Sequence, residues 1–390
     1  MVRPPKVALL IETSNAYARG LLHGIYTWIR ENHPWSIYLA EHGRGDEAPA
    51  WLEKWDGDGI IARIENDSIA STLAKLSQPI VDVSAARLLP HLPYCETDES
   101  GIASLASSHL IERGFRSFGY CGDERFHWSK LRGAAFSEAI TKAGYPISEF
   151  IAPPDLDADD DAITEAIGTW VASLPQPAAI FCGYDLRGRQ VLDACRRRGI
   201  HVPDHVAVLS IDNDELLCNL AHPPLSSVIP NTLRTGYEAA ALLDRMMSGK
   251  TVGPEAHLIE PLGIATRQST DVLAVEDAPV ARAVRFIRGN ACRGICVDDV
   301  VKDSGLSRRM LENRFKRLLG RSPHEEIVRV QILRVKELLG ETDLPLAEIA
   351  ERAGFRYVEY LSAVFKSKTG MPPGAYRNEH RPRASAKRRR

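Results

Sequence analysis

The chain has 390 residues, 44% of them apolar and 26% charged, with a formal net charge of −2. That length is enough to bury two or three separate cores, and no apolar run approaches the ~18 residues of a helical membrane span, so a multi-domain globular chain with no membrane partner is expected. Seven cysteines, odd in number and nowhere in a C-x-x-C pair, argue against a disulfide framework or a zinc site. No metal and no cofactor is expected, and Cys292 and Cys296 read as small packing residues.

The opening MVRPPKVALLIE reads as a lead into a β-strand, without the long apolar stretch and small-residue cleavage site of a signal peptide, and a cytoplasmic location is expected. From Lys6 onward short β-rich runs (KVALLIE, WSIYLA, GIIARI, PIVDVS, SFGYCG, AAIFCG, AVLSID) alternate with amphipathic segments such as residues 17–31 and 129–144. This order predicts parallel sheets with helices on both faces. The runs are too numerous for one small sheet, and ligands gather beyond the carboxyl ends of strands in open α/β sheets, so two lobes facing a cleft are expected.

Several polar residues fall where such a cleft would place them. Glu12 follows the first run, Asp185 follows AAIFCG, and Asp212 with Asn213 ends AVLSID; Asp98, Trp128 and Arg132 come from segments between. Carboxylates, an amide and a guanidinium pair with vicinal hydroxyls, and an indole covers the apolar face of a pyranose, which makes these seven a candidate sugar site. The competing readings are helix capping for Asp185 and Asp212, a solvated helix charge for Arg132 and core packing for Trp128.

Residues 6–267 resemble the receptor domain of the LacI/GalR repressors without their N-terminal DNA-binding headpiece. The resemblance rests on Arg132, Ala135 and Phe136, on Asp185 after a strand, and on GIHVP, VAVLSIDND and PPLSSV. It implies a two-lobed periplasmic-binding-protein-like fold in which Arg132 and Asp212 hold a sugar. The family's Asn-Asp pair reads Tyr184-Asp185 here, so the contact made by that asparagine has no counterpart.

The last hundred residues write one pattern twice, about fifty residues apart. Gly305 and Leu306 precede Ser307, Leu311, Phe315 and Lys316, closed by Gly320 and Pro323; Gly354 and Phe355 precede Leu361, Phe365 and Lys366, closed by Gly370 and Pro373. A turn glycine supplies the positive φ between two helices, and the apolar spacing buries one face of each second helix while leaving the other for a DNA groove. Charge is segregated to match: residues 281–390 hold 25 Lys+Arg against 13 Asp+Glu, the remainder 24 against 38. Such a basic half is the electrostatic footprint of a polyanion binder. The expected boundaries are a receptor over 1–270, a linker over 271–280, an all-α domain with two helix-turn-helix units over 281–380, and a basic tail over 381–390.

Residues 277–377 resemble the AraC/XylS family through AEIAERAGF, LSAVFKSKTGMPPGAYR and DSGLSRRMLENRFKRLLGRSP. In the first unit the candidate DNA contacts are Arg308, Arg309, Glu312 and Asn313, with Lys316 on phosphate. The second unit offers Tyr357, Val358, Glu359, Ser362 and Ala363, with Lys366 on phosphate, a set short of polar readers. A LacI-like receptor before an AraC-like reader resembles a group of xylose-responsive regulators, which implies D-xylose or a related sugar as effector, a double-stranded operator, a homodimer and, for an activator, RNA polymerase as partner. An enzyme is disfavoured because no P-loop, nucleophile elbow, H-E-x-x-H or dinucleotide fingerprint is present. A transport binding protein would share the two lobes but not the basic half.

Overall fold

The structure, a computed structural model, describes residues 3–41, 43–157, 159–271, 277–342 and 344–380. Contacts divide the chain into two units, Met1–Ala274 and Val275–Arg390. Residues 272–276 of the expected linker and the whole expected tail, 381–390, lie outside the described residues. The end of the expected linker is helical, because Asp277 caps the helix that starts at Ala278 and accepts a hydrogen bond from Val280 N.

The first unit begins with β1 (Lys6–Leu10), α1 (Ala16–Glu31), β2 (Ser36–Leu39), β3 (Gly59–Ala62), α2 (Asp67–Leu73), β4 (Ile80–Asp82), β5 (Tyr94–Thr97) and α3 (Glu99–Glu112). There follow β6 (Ser117–Asp123), α4 (His127–Lys142), β7 (Ile147–Ala152), α5 (Pro154–Asp157), α6 (Asp160–Ser173), β8 (Ala178–Cys182), α7 (Asp185–Arg197), β9 (Val206–Ile211), α8 (Glu215–Leu220), β10 (Ser226–Ile229), α9 (Thr232–Met247), β11 (Ala256–Ile259) and β12 (Gly263–Ala265). Two six-stranded sheets result, in the orders β11-β5-β4-β3-β1-β2 and β12-β10-β9-β8-β6-β7. The pairing is parallel except for β12, which runs antiparallel to β10 and closes one edge. Strands such as GIIA and AAIFC are buried along their whole length because helices cover both sheet faces.

Each sheet therefore carries two cores. On the first, Val7, Leu9 and Ile61 pack beneath α1 and α9, and Ala8, Leu10 and Ile60 pack on the other face. On the second, Val208 and Ile180 face α6 and α7, while Phe181 and Phe118 face α3 and α4, with Phe136 of α4 packed against them. Truncating a buried ring such as Phe136 to alanine costs about 3–5 kcal/mol in such a core. The chain crosses between lobes after β5, after β10 and after β11, which leaves the carboxyl ends of both sheets facing one cleft.

The second unit is helical: α10 (Ala278–Asn290), α11 (Val297–Ser304), α12 (Arg308–Leu319), α13 (Pro323–Glu341), α14 (Leu346–Arg352), α15 (Val358–Thr369) and α16 (Pro373–His380). Helix α11 turns into α12 through Gly305 at φ 71°, and α14 turns into α15 near Gly354 at φ 76°, as the repeated glycines predict. Ser322 caps α13 with Glu325 in a reciprocal capping box, and Pro323 occupies its first turn.

Candidate functional site: the inter-lobe cleft and the paired helices

Seven residues from both lobes line a narrow inter-lobe space of only about 10 Å3. The first lobe contributes Tyr17 from α1, Arg44 from the loop after β2, Arg63 just after β3 and Glu96 from β5; the second contributes Trp128 and Arg132 from α4 and Asp212 just after β9. Trp128 and Arg132 lie four residues apart and so share one helix face.

Arg132 is buried, and its guanidinium donates from Nε and Nη2 to the two carboxylate oxygens of Glu99 (2.7 Å each) and from Nη1 to Gly183 O (2.5 Å). Burial works against its charge, but the Glu99 pair overrides that and raises its pKa. Across the cleft Arg63 donates to Glu12 (3.0 Å) and Glu65 (2.7 Å), and its guanidinium lies 5.1 Å from the Tyr17 ring. Its Nε has no partner in the protein. Tyr17 donates its phenol to Glu96 Oε1 (2.8 Å), while Oε2 of Glu96 is likewise unpartnered. Burial pushes the Glu96 carboxyl up to about 8 and that of Asp82 up to about 7.

Asp212 also has a raised pKa from burial, opposed by the guanidiniums of Arg132, Arg44 and Arg63. Its backbone sits at φ 110° and that of Asn213 at 48°, two consecutive non-glycine residues in a region costing on the order of 1–3 kcal/mol each. This strain turns the chain sharply after β9, aiming Asp212 into the cleft while Asp214 N donates to Asp185 Oδ2 (2.7 Å) and Asp214 caps α8.

The remaining expected sugar contacts stand behind the lining. Glu12 pairs with Arg63, Asp98 caps α3 by accepting from Ser100 N (3.0 Å), and Asp185 is buried beneath the hydroxyls of Ser210 and Ser227. Asp185 is raised to about 7, first by burial and then by the charge of Asp212. Asn213 donates its backbone N–H to Ser227 Oγ (2.9 Å), and its side-chain oxygen has no protein partner. Trp128 is not an open platform. Phe126 stacks on it at 5.0 Å, Tyr184 meets it edge-on at 5.5 Å, and the guanidiniums of Arg132 and Arg44 lie 5.2 and 5.4 Å from its ring. Ala85 of the first lobe packs into the same aromatic cluster.

In the helical unit, Leu311 and Phe315 of α12 and Leu361 and Phe365 of α15 are buried, as their spacing predicts. Arg308, Arg309, Glu312, Asn313 and Lys316 are exposed on α12. Arg308 is engaged with Asp298 and Glu312 (3.1 Å each), and Lys316 donates to Gly320 O (3.3 Å), so neither is a bare charge. On α15, Tyr357, Glu359, Ala363 and Lys366 are exposed, Ser362 is half-buried, and Val358 departs from expectation by packing against the domain core. Tyr360 is exposed beside them, and Arg356 lies over the Tyr357 ring at 5.6 Å. Among the described residues, no group of three or more His, Cys, Asp or Glu could hold a metal ion, and no helix is long and apolar enough to cross a membrane.

Residues 6–100 match the XylR N-terminal domain, residues 107–270 the periplasmic binding protein-like domain and residues 300–379 a helix-turn-helix domain. The xylose operon regulatory protein of Haemophilus influenzae is 32% identical over 380 residues, 95% of this chain and 98% of that one. The chain belongs to the xylose operon regulatory protein family. The Escherichia coli member is 30% identical over 383 residues, 96% of this chain and 97% of that one. The solved structure of a xylose-binding transcription activator matches with a TM-score of 0.80 at 29% identity, over 98% of this chain and all of the other. Like its relatives in the xylose operon regulatory protein family, this chain is a DNA-binding transcriptional regulator rather than an enzyme, with a two-lobed parallel α/β receptor and a helix-turn-helix domain.

Sequence reasoning missed Tyr17, Arg44, Arg63, Glu96 and Glu99. Arg63 had a usable signal, since an arginine at the carboxyl end of the buried run GIIARI is a charge that folding must satisfy. Arg44 stands in HGRGDE, which carries no such pattern.

Proposed function

We propose that this regulator senses D-xylose in the inter-lobe cleft and activates transcription through α12 and α15. The observation carrying the sugar reading is the pair of unpartnered buried atoms, Arg63 Nε and Glu96 Oε2, in a cleft lined by charged and aromatic side chains from both lobes. Each such group costs about 1–3 kcal/mol until paired, and sugar hydroxyls, which both accept and donate, can take the Arg63 N–H and pair with Glu96 Oε2 whether or not that oxygen carries the carboxyl proton. The charges of Arg63 and Arg132 are already matched by Glu12, Glu65 and Glu99, which favours a neutral polyhydroxyl ligand over an acid or a phosphate. Xylose as the particular sugar follows the names of the relatives, and activation follows the description of the solved one.

In this reading Arg132 and Asp212 clamp hydroxyls from the second lobe, and Arg63 and Glu96 do so from the first. Arg309, Asn313 and Glu312 read bases, Lys316 and Lys366 hold phosphates, and the two helices enter successive major grooves. The protein works in the cytoplasm as a homodimer that recruits RNA polymerase. A thermal-shift panel of pentoses and hexoses tests the effector: a sugar at 100 times its Kd adds about 2.7 kcal/mol to folded-state stability. D-xylose should give the largest shift, and Asp212→Ala should weaken its binding at least about tenfold. No shift with D-xylose, or full affinity in a folded Asp212→Ala, overturns the assignment.

A further inference from the structure

One side chain on α13 bridges the end of α10, the helix ahead of the first helix-turn-helix unit, and the turn of the second. Gln331, buried on α13, donates from its single Nε2 to Ala291 O and to Gly354 O, 3.1 Å each. Ala291 ends α10 ahead of the first unit, and Gly354 is the turn glycine of the second. The approach of these two backbones is close: a Cβ on Gly354 would stand 2.7 Å from Ala291 O. Two carbonyls from different halves of the domain thus share both protons of one amide. Nothing comparable is needed merely to fill the core, since a methionine has nearly the same volume.

We infer that Gln331 is a positioning residue for DNA recognition, fixing the second recognition helix relative to the first so that both meet successive grooves in one register. This rests on the two-groove reading above. Two sites read by one rigid body gain affinity over either alone only where their spacing matches, because the second contact becomes intramolecular. A loosened clasp lets the units rock independently, lowering affinity for the matched spacing and raising tolerance for mismatched ones. Gln331 itself touches no DNA in this role.

The test uses full-length protein, D-xylose and duplexes selected by the wild type from a random pool, remade with one or two base pairs inserted or deleted between the two groove contacts. Fluorescence anisotropy measures affinity for each duplex and for one retaining a single groove site. Wild type should prefer the selected spacing strongly. Gln331→Met should lose roughly tenfold of that preference and keep single-site affinity, and Gly354→Ala, which drives the same backbones apart, should do likewise. A folded Gln331→Met with wild-type spacing preference overturns the inference, as does an equal loss on matched, mismatched and single-site duplexes. A wild type indifferent to spacing overturns the two-groove reading, and the clasp with it.

Discussion

Burial pushes the Glu96 carboxyl up to about 8 from its ordinary 4.5, so the folded receptor holds a proton that the unfolded chain releases. Between those values the folded state binds more protons, and the stability this group contributes is complete below about 4.5 and lost as pH rises through about 8. Asp82 and Asp185, both raised to about 7, act with the same sign. His109 acts oppositely, because burial lowers it to about 3 from 6.5, but its contribution is already level above 6.5. The window from 6.5 to 8.5 therefore isolates the acids. Glu96→Gln keeps an acceptor for Tyr17 and cannot ionise, so its receptor melting temperature should fall less than that of wild type across this window, by about 2 °C or more. Parallel melting curves for the two proteins refute the buried-proton account. The same burial explains why Glu96 escaped notice in the sequence: TDE and the short YCET run look like a polar loop until β11 pairs with β5 and seals it. Asp212 was legible because AVLSID ends abruptly in polar residues, whereas the aromatic packing around Trp128 depends on Phe126, Tyr184 and a loop arginine that no local pattern brings together.

At the scale of elements, α12 is where sequence reading can be tested against phosphate attraction. Arg309 sits in its first turn, exposed, while its neighbour Arg308 is engaged by Asp298 and Glu312. Lys316 lies two turns on and leans toward the carbonyl of Gly320 at the helix end. Arg309→Ala should cost about 1–3 kcal/mol on the operator and little on scrambled duplex. Lys316→Ala should weaken both by similar factors and lower the salt slope by about one contact. Anisotropy on both duplexes at two salt concentrations decides: an Arg309→Ala loss that is equal on both makes Arg309 a phosphate anchor. Elements of this kind were the most readable part of the chain. The buried strand runs and the twice-written glycine turns carry their own periodicity, so β1, β3, β6, β8 and β9 and both recognition helices follow from local pattern. The edge strands β11 and β12, a few residues each, exist because distant strands pair with them, and no short window of sequence contains that information.

At the scale of the whole molecule, a regulator must carry the state of its cleft to the end of its receptor, and α3 spans that distance within the second lobe. Its first residue, Glu99, takes both arms of the Arg132 guanidinium in the cleft. At its other end His109 Nε2 lies 2.9 Å from Thr270 Oγ1, and Arg113, the residue that ends the helix, donates from Nε to Thr270 O at 2.8 Å. Thr270 is further tied to Ser226, so the receptor's exit is fixed to α3 and to β10 rather than to a free loop. If a bound sugar redirected Arg132, the load on Glu99 would change, and α3 would be the element placed to convey that change to Thr270. Arg113→Ala should therefore leave D-xylose affinity within about twofold while reducing, by about fivefold or more, the factor by which D-xylose alters operator affinity. Reciprocity requires the operator's effect on D-xylose affinity to shrink by the same factor, so two independent titrations must agree. Full coupling in a folded Arg113→Ala would exclude α3 as the conveyor, and a large loss of sugar affinity would place the effect of Arg113 in the cleft instead.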